Sequence, residues 1–125
     1  MKNSIGRKQI IEVIKENYTD PDFNVNKLAR ILKINRSFLF KKVIIQCNCN
    51  PKQLIENKRL AYALELLSVG EKVTYVAYKT GFNNVYNLRR TFKKRFNFTP
   101  SKFREICFSQ PEEKAEIIQN LLNKL

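Results

Sequence analysis

The sequence predicts an all-α fold in which two helix-turn-helix subdomains share one long connecting helix, with an additional amphipathic helix at the C-terminal end. Three observations carry that expectation. The segments "NCNPKQL" (48–54) and "NFTPSKF" (97–103) align at an offset of 49 residues, Asn on Asn and Pro on Pro. An Asn or Thr stands ahead of most of the apolar-periodic segments, where a short polar side chain caps the first free N–H groups of a helix. Between the two copies, residues 51–67 contain no helix breaker after Pro51.

The first element is marked by Ile10, Ile11, Val13 and Ile14 ahead of "DPDF" (20–23), a helix expected to cover the first lobe. Asn24 then caps "VNKLARIL" (25–32), and Asn35 caps a helix of about eleven residues that stops near Asn48. Asn is the residue after Gly that best accepts the left-handed conformation of a helix end. The first helix-turn-helix is therefore expected at about 24–47. Asn50-Pro51 opens the next helix, since Pro at the first helical position loses no intrahelical bond. That connecting helix, about 51–67, carries Leu54, Ile55, Leu60, Ala61, Ala63, Leu64, Leu66 and Leu67 around more than one face, so both lobes are expected to pack on it.

The second copy begins with Thr74 as the expected cap of "YVAYKTG" (75–81), where Val76-Ala77 matches Leu28-Ala29 at an offset of 48 and Phe82 matches Ile34. One extra residue, Asn83, lengthens the turn. Asn84 then starts a helix that ends at Asn97, which places the second helix-turn-helix at about 74–96. Thr99-Pro100 repeats the Asn50-Pro51 signal. Beyond it, "PEEKAEIIQNLLNKL" is predicted to start at Pro111 with acids in its first turn and a stripe of Ile118, Leu121, Leu122 and Leu125. The stripe requires a partner surface: this chain's own lobe, a second copy, or a further domain.

Charge narrows the functional classes. The 125 residues include 24 Lys and Arg against 11 Asp and Glu, a formal net charge of +13. Residues 23–104 alone hold 18 basic and three acidic side chains, whereas 1–22 balance at four against four and 105–125 carry two against four. The excess lies in the repeat itself and not in tails, and it favours a polyanionic partner. The longest apolar run, Leu60 to Leu64, is five residues, far below the roughly 20 that a membrane span requires. With no apolar signal block near residue 1, a cytoplasmic protein is expected. Cys47, Cys49 and Cys107 are read as reduced thiols, and with no His in the chain no metal or other cofactor is expected. The same lack of His, of paired acids and of a phosphate-gripping Gly loop argues against an enzyme.

A helical wheel sorts the basic and aromatic residues of 85–96. Val85, Leu88, Phe92 and Phe96 fall within an arc of about 80° and form the inner face. Tyr86, Asn87, Arg90, Lys93 and Lys94 point the other way. A solvated charge stripe is the bland alternative. Against it, the stripe has no acid of its own, and it lies on the second helix of a pair, the element that enters a DNA major groove. Chemistry divides the roles: Arg90 suits guanine, Asn87 adenine, Tyr86 a base or thymine methyl, and Lys93, Lys94 and Arg95 suit phosphates. Asn84 at the helix start is a further phosphate candidate. In the first copy the offset makes Ser37, Phe38 and Lys41 outward, and Arg36 is placed to reach phosphates. Phe38, Phe40, Ile44 and Ile45 exceed what one inner arc can hide, so that some pack inward and Phe40 either does so or meets thymine methyls.

These residues resemble the DNA-binding domain of the AraC/XylS family of bacterial transcription regulators. The resemblance is specific over "VAYKTGFNNVYNLRRTFKKRFNFTPSKFR" (76–104), through Gly81-Phe82, the Phe92 and Phe96 spacing, Thr99-Pro100 and Phe103-Arg104. It is looser over 25–67, through Leu28-Ala29, Arg36-Ser37-Phe38-Leu39, Pro51, Arg59, Leu60, Ala63 and Leu66-Leu67. It implies one DNA-binding domain over 5–107 followed by a helical tail over 108–125, with two recognition helices in successive major grooves. It further implies base contacts by Ser37, Phe40 and Lys41 in the first lobe and by Val85, Tyr86, Asn87 and Arg90 in the second. Transcription machinery such as RNA polymerase becomes an expected partner, while the homodimer through the C-terminal helix rests on the apolar stripe, as one of its three candidate partners. The chain departs from the family in having Asn48, Asn97 and Lys33 at turn positions usually given to Gly, and Lys42 where an apolar residue is usual. An RNA-binding or protein-interaction module using the same basic face is the rival reading.

Overall fold

The computed structural model describes residues 5–125. Among these residues eight α-helices follow one another: α1 (Arg7–Asn17), α2 (Val25–Leu32), α3 (Arg36–Cys47), α4 (Pro51–Ser68), α5 (Val73–Thr80), α6 (Val85–Phe96), α7 (Pro100–Ser109) and α8 (Lys114–Leu122). The expected pairs are present as α2 with α3 and α5 with α6. The rod between them, α4, has 18 residues and so runs about 27 Å at 1.5 Å per residue.

Local chemistry sets the helix starts. The Oδ1 atoms of Asn24, Asn35, Asn50 and Asn84 each accept a hydrogen bond from the backbone N–H three residues on, at 2.7 to 2.9 Å, and the Thr99 hydroxyl accepts from Lys102 N–H at 3.1 Å. The Gln53 Oε1 accepts in turn from the Asn50 N–H at 3.0 Å, completing a capping box at the start of the rod. Helices α3 and α6 end on Asn48 and Asn97 at φ 57° and 70°, and α2 ends on Lys33 at φ 59°.

Two starts differ from the sequence reading. α5 begins at Val73 behind an extended Lys72 that makes no side-chain cap, so Thr74 is a residue of the first turn and not the cap. The C-terminal helix begins at Lys114, because Pro111, Glu112 and Glu113 form a turn in which the Glu113 N–H donates to the Gln110 carbonyl at 3.2 Å.

Each lobe has its own apolar core, and α4 serves both. Ile10, Ile14, Leu28, Leu39 and Val43 are fully enclosed in the first, closed by Leu54 and Ile55 from the start of α4. The second gathers Leu60, Ala63, Leu64 and Leu67 from the rest of α4 around Val76, Leu88, Phe92 and Phe103. Phe92 is its centre, with Phe96 edge-on at 4.7 Å and Phe103 at 6.0 Å between ring centroids. The stripe on α8 is used here: Leu121 is buried in this core, and Ile118, Leu122 and Leu125 pack on it. Of the three partner surfaces considered, the chain's own second lobe is the one observed.

Candidate nucleic-acid interface

α6 separates its two faces as the wheel indicates. Leu88, Phe92 and Phe96 are buried, and Tyr86, Arg89, Arg90, Lys93 and Lys94 are exposed. Tyr86 leaves 64% of its surface to solvent. The Arg90 guanidinium carbon lies 6.0 Å from the Tyr86 ring centroid, one turn away on the same face, a cation–π distance. Asn87 is half-buried between the faces. Neither ion pair found among the described residues involves Arg89, Arg90, Lys93 or Lys94. The three basic residues of the last turn, Lys93, Lys94 and Arg95, sit where the helix dipole favours cations, which offsets part of their mutual repulsion.

Arg95 departs from its expected role. Its guanidinium turns toward α4, donating to Asn57 Oδ1 and standing 3.6 Å from Glu56 Oε1. Asn57 in turn donates to the Leu125 carbonyl at 3.2 Å. Arg95 thus fastens α6 to the rod, and through Asn57 to Leu125 beyond α8, instead of facing outward with Lys93 and Lys94. On the wheel it lies beside Leu88, at the edge of the buried arc, which is why a side chain of that length reaches inward.

Val85 and Phe40, both base-contact candidates through the family resemblance, are half-buried. Val85 packs on the second core, as the wheel requires, and Phe40 packs on the first. Phe40 also carries the Arg36 guanidinium over its ring at 5.6 Å, while Arg36 Nη1 donates to Asn26 Oδ1 at 2.9 Å. Arg36 therefore ties α3 to α2 at an exposed edge. Asn84 spends its Oδ1 on the cap, leaving its amide NH2 as the group available to a ligand.

The outward face of α3 holds Ser37 and Lys41, both exposed, followed by Ile44 and Ile45 at 53% and 79% exposure. The fold separates the apolar residues of α3 by exposure. Phe38 and Phe40 are partly covered, and the two isoleucines are not. The internal repeat now shows an asymmetry: at an offset of 49, Ile44 and Ile45 stand where the second copy has Lys93 and Lys94. Cys47 and Cys49 are half-buried at the end of α3, where burial first, and then the neighbouring Cys47, push the Cys49 thiol up against a lowering influence of Arg95. Among the described residues no group of three or more His, Cys, Asp or Glu side chains could hold a metal ion. No described helix is long and apolar enough to cross a membrane.

The family model for the helix-turn-helix domain of the AraC type matches residues 28–106, from inside α2 to inside α7. The chain belongs to the AraC/XylS family of helix-turn-helix DNA-binding domains. Relatives of the AraC-type domain differ in what surrounds it. A histidine kinase P4 of Formosa agariphila is 28% identical over 97 residues, covering 77% of this chain and 7% of that protein. An uncharacterized HTH-type transcriptional regulator of Pseudoalteromonas carrageenovora is 34% identical over 91 residues, covering 73% of this chain and 54% of that one. The HTH-type transcriptional activator RhaS of Escherichia coli is 24% identical over 106 residues, 84% of this chain and 38% of its own length. The chain thus spans about half or less of the curated relatives it matches.

Solved structures agree on the fold. The C-terminal domain of the two-component response regulator yesN from Fusobacterium nucleatum superposes with a TM-score of 0.75 at 26% identity, over 78% of this chain and 96% of that one. The DNA-binding domain of AdpA, solved in complex with a target DNA, superposes with a TM-score of 0.75 at 22% identity, over 83% and 95%.

Proposed function

We propose that this AraC-type domain binds double-stranded DNA sequence-specifically, with α3 and α6 in successive major grooves, and regulates transcription either alone or as part of a larger regulator. The observation that carries the reading is the outer face of α6: Tyr86, Arg90, Lys93 and Lys94 exposed on the second helix of a helix-turn-helix, outside any ion pair found among the described residues. Arg90 then reads guanine by its two-pronged hydrogen-bonding edge and Asn87 reads adenine, while Tyr86 supplies apolar contact to a thymine methyl. Ser37 and Lys41 read from α3, with the uncovered parts of Phe40 and Val85 at the margins of the two contacts. Lys93, Lys94, Arg36 and the Asn84 amide meet phosphates and set the register. Arg95 is not in this set, being held by Glu56 and Asn57.

Two further roles extend the reading. Contact with RNA polymerase or other transcription machinery, in the cytoplasm where chromosomal DNA lies, follows from the proposed regulatory activity. A homodimer through α8 would use its outer face, around Glu116, Gln119 and Asn120, because the apolar stripe is occupied by the second lobe.

Selection of bound fragments from random duplex DNA tests the reading. A two-part consensus is the expected result. Equal retention of all sequences, or preference for single-stranded RNA at the same salt, contradicts it.

A further inference from the structure

The two lobes meet at a joint that neither helix-turn-helix pair explains. From the middle of α4, Arg59 donates Nε to the Tyr18 carbonyl at 2.8 Å and Nη2 to the Asp20 and Phe23 carbonyls, each at 3.0 Å. All three carbonyls belong to the segment joining α1 to α2 in the first lobe. The Tyr18 ring also meets Tyr62 of α4 edge-on at 6.2 Å. From the second lobe comes Gly81, the residue that ends α5. A Cβ at Gly81 would stand 2.1 Å from the Tyr18 carbonyl oxygen, 2.9 Å from Arg59 Nε and 3.1 Å from the Thr19 carbonyl carbon.

The internal repeat supplies a control for Gly81. Lys33 occupies the equivalent turn position of the first copy and is also left-handed, at φ 59°, so a side chain is tolerated by that backbone conformation. Gly81, at φ 91°, is held to glycine by contact as well as by conformation, and the contact is with the other lobe. Arg59 lies between the two. Its guanidinium is pushed down in pKa by burial, against Glu56 and Asp20, so its bonds to the carbonyls form in a partly dehydrated place where they are stronger and more directional than on the open surface. Apolar packing along the rod, by contrast, has no preferred direction.

We propose that Arg59 and Gly81 form a joint that fixes the orientation of the first reading helix relative to the second, and so restricts the domain to one half-site spacing. The inference rests on α3 and α6 being paired groove readers. Arg59 is a positioning residue: it contacts no DNA in this account and acts through α3, by way of the α1–α2 segment. A rigid pair of readers gains from both half-sites only when geometry lets both engage, and loses on the order of 100-fold when it does not.

The test measures affinity of the chain and its Arg59→Lys and Gly81→Ala variants for the selected duplex, for duplexes with 1 to 5 base pairs inserted between half-sites, and for the second half-site alone. Lys keeps the charge of Arg59 but loses its fork, and Gly81→Ala opens the joint from the other side. The wild-type chain is expected to lose on the order of 100-fold at the wrong spacing. Both variants are expected to lose affinity at the native spacing and to discriminate far less among spacings, and Arg59→Lys, which leaves the second helix-turn-helix untouched, to bind the second half-site alone as wild type does. Variants with the wild-type spacing profile overturn the joint. So does an equal loss of Arg59→Lys on the single half-site, which marks general unfolding. Residual dipolar couplings of the DNA-free chain provide a readout independent of the DNA reading: one alignment tensor for both lobes in wild type, two in Arg59→Lys. A single tensor in both overturns the proposal. A wild-type chain indifferent to spacing but rigid by this measure strikes instead at the reading of α3 and α6.

Discussion

Arg90 and Tyr86 stack one turn apart on the open face of α6, the guanidinium carbon 6.0 Å from the ring centroid. In the proposed reading this contact presents the guanidinium beside an apolar surface with less rotational freedom to lose on meeting a guanine edge. Arg90→Ala is expected to cost about 1 to 3 kcal/mol on the selected duplex and to relax preference at one base pair. Competition binding against single-position variants of that duplex checks this. Equal losses on selected and random DNA remove Arg90 from the reading set.

Lys94→Ala is expected to weaken binding to all sequences alike and to lower the slope of log affinity against log salt by about 1. A salt titration measures it. An unchanged slope means that Lys94 meets no phosphate.

Ile44 and Ile45 hold the positions of Lys93 and Lys94 in the first copy and are exposed. On the proposed reading the first lobe therefore lacks two phosphate contacts assigned to the second. Ile44→Lys with Ile45→Lys is expected to raise affinity for random duplex and to steepen the salt slope by about 2. No gain indicates that this end of α3 lies away from the DNA backbone.

Arg95 is the basic residue of α6 held by the chain's own Glu56 and Asn57. Arg95→Ala is expected to cost on the order of 1 kcal/mol in urea unfolding, because the exchange strands Asn57 and Glu56 at a partly covered site, and to leave the salt slope unchanged. A lower slope with intact stability restores Arg95 to the phosphate-contacting set.

These contrasts show which features were legible in the sequence. Caps are local: Asn24, Asn35, Asn50, Asn84 and Thr99 act on N–H groups three residues away, so spacing alone reveals them. The burial of Leu88, Phe92 and Phe96 follows from helical periodicity in the same way. Arg95 was misplaced because its partners are 38 and 39 positions distant in the chain, and periodicity puts it only at the margin of the buried arc. Thr74 is a good capping residue that does not cap, since an extended Lys72 allows α5 to start two residues earlier with Lys72 and Thr74 exposed. The Arg59 and Gly81 joint unites three separate segments, and only the folded chain displays it.

Methylation interference at guanine N7 on the selected operator tests the central claim most directly, because that atom faces the major groove. Two clusters of interference are expected, about 10 to 10.5 base pairs apart on one face of the duplex. A single cluster, or no interference at guanine N7, would contradict the placement of α3 and α6 in successive major grooves.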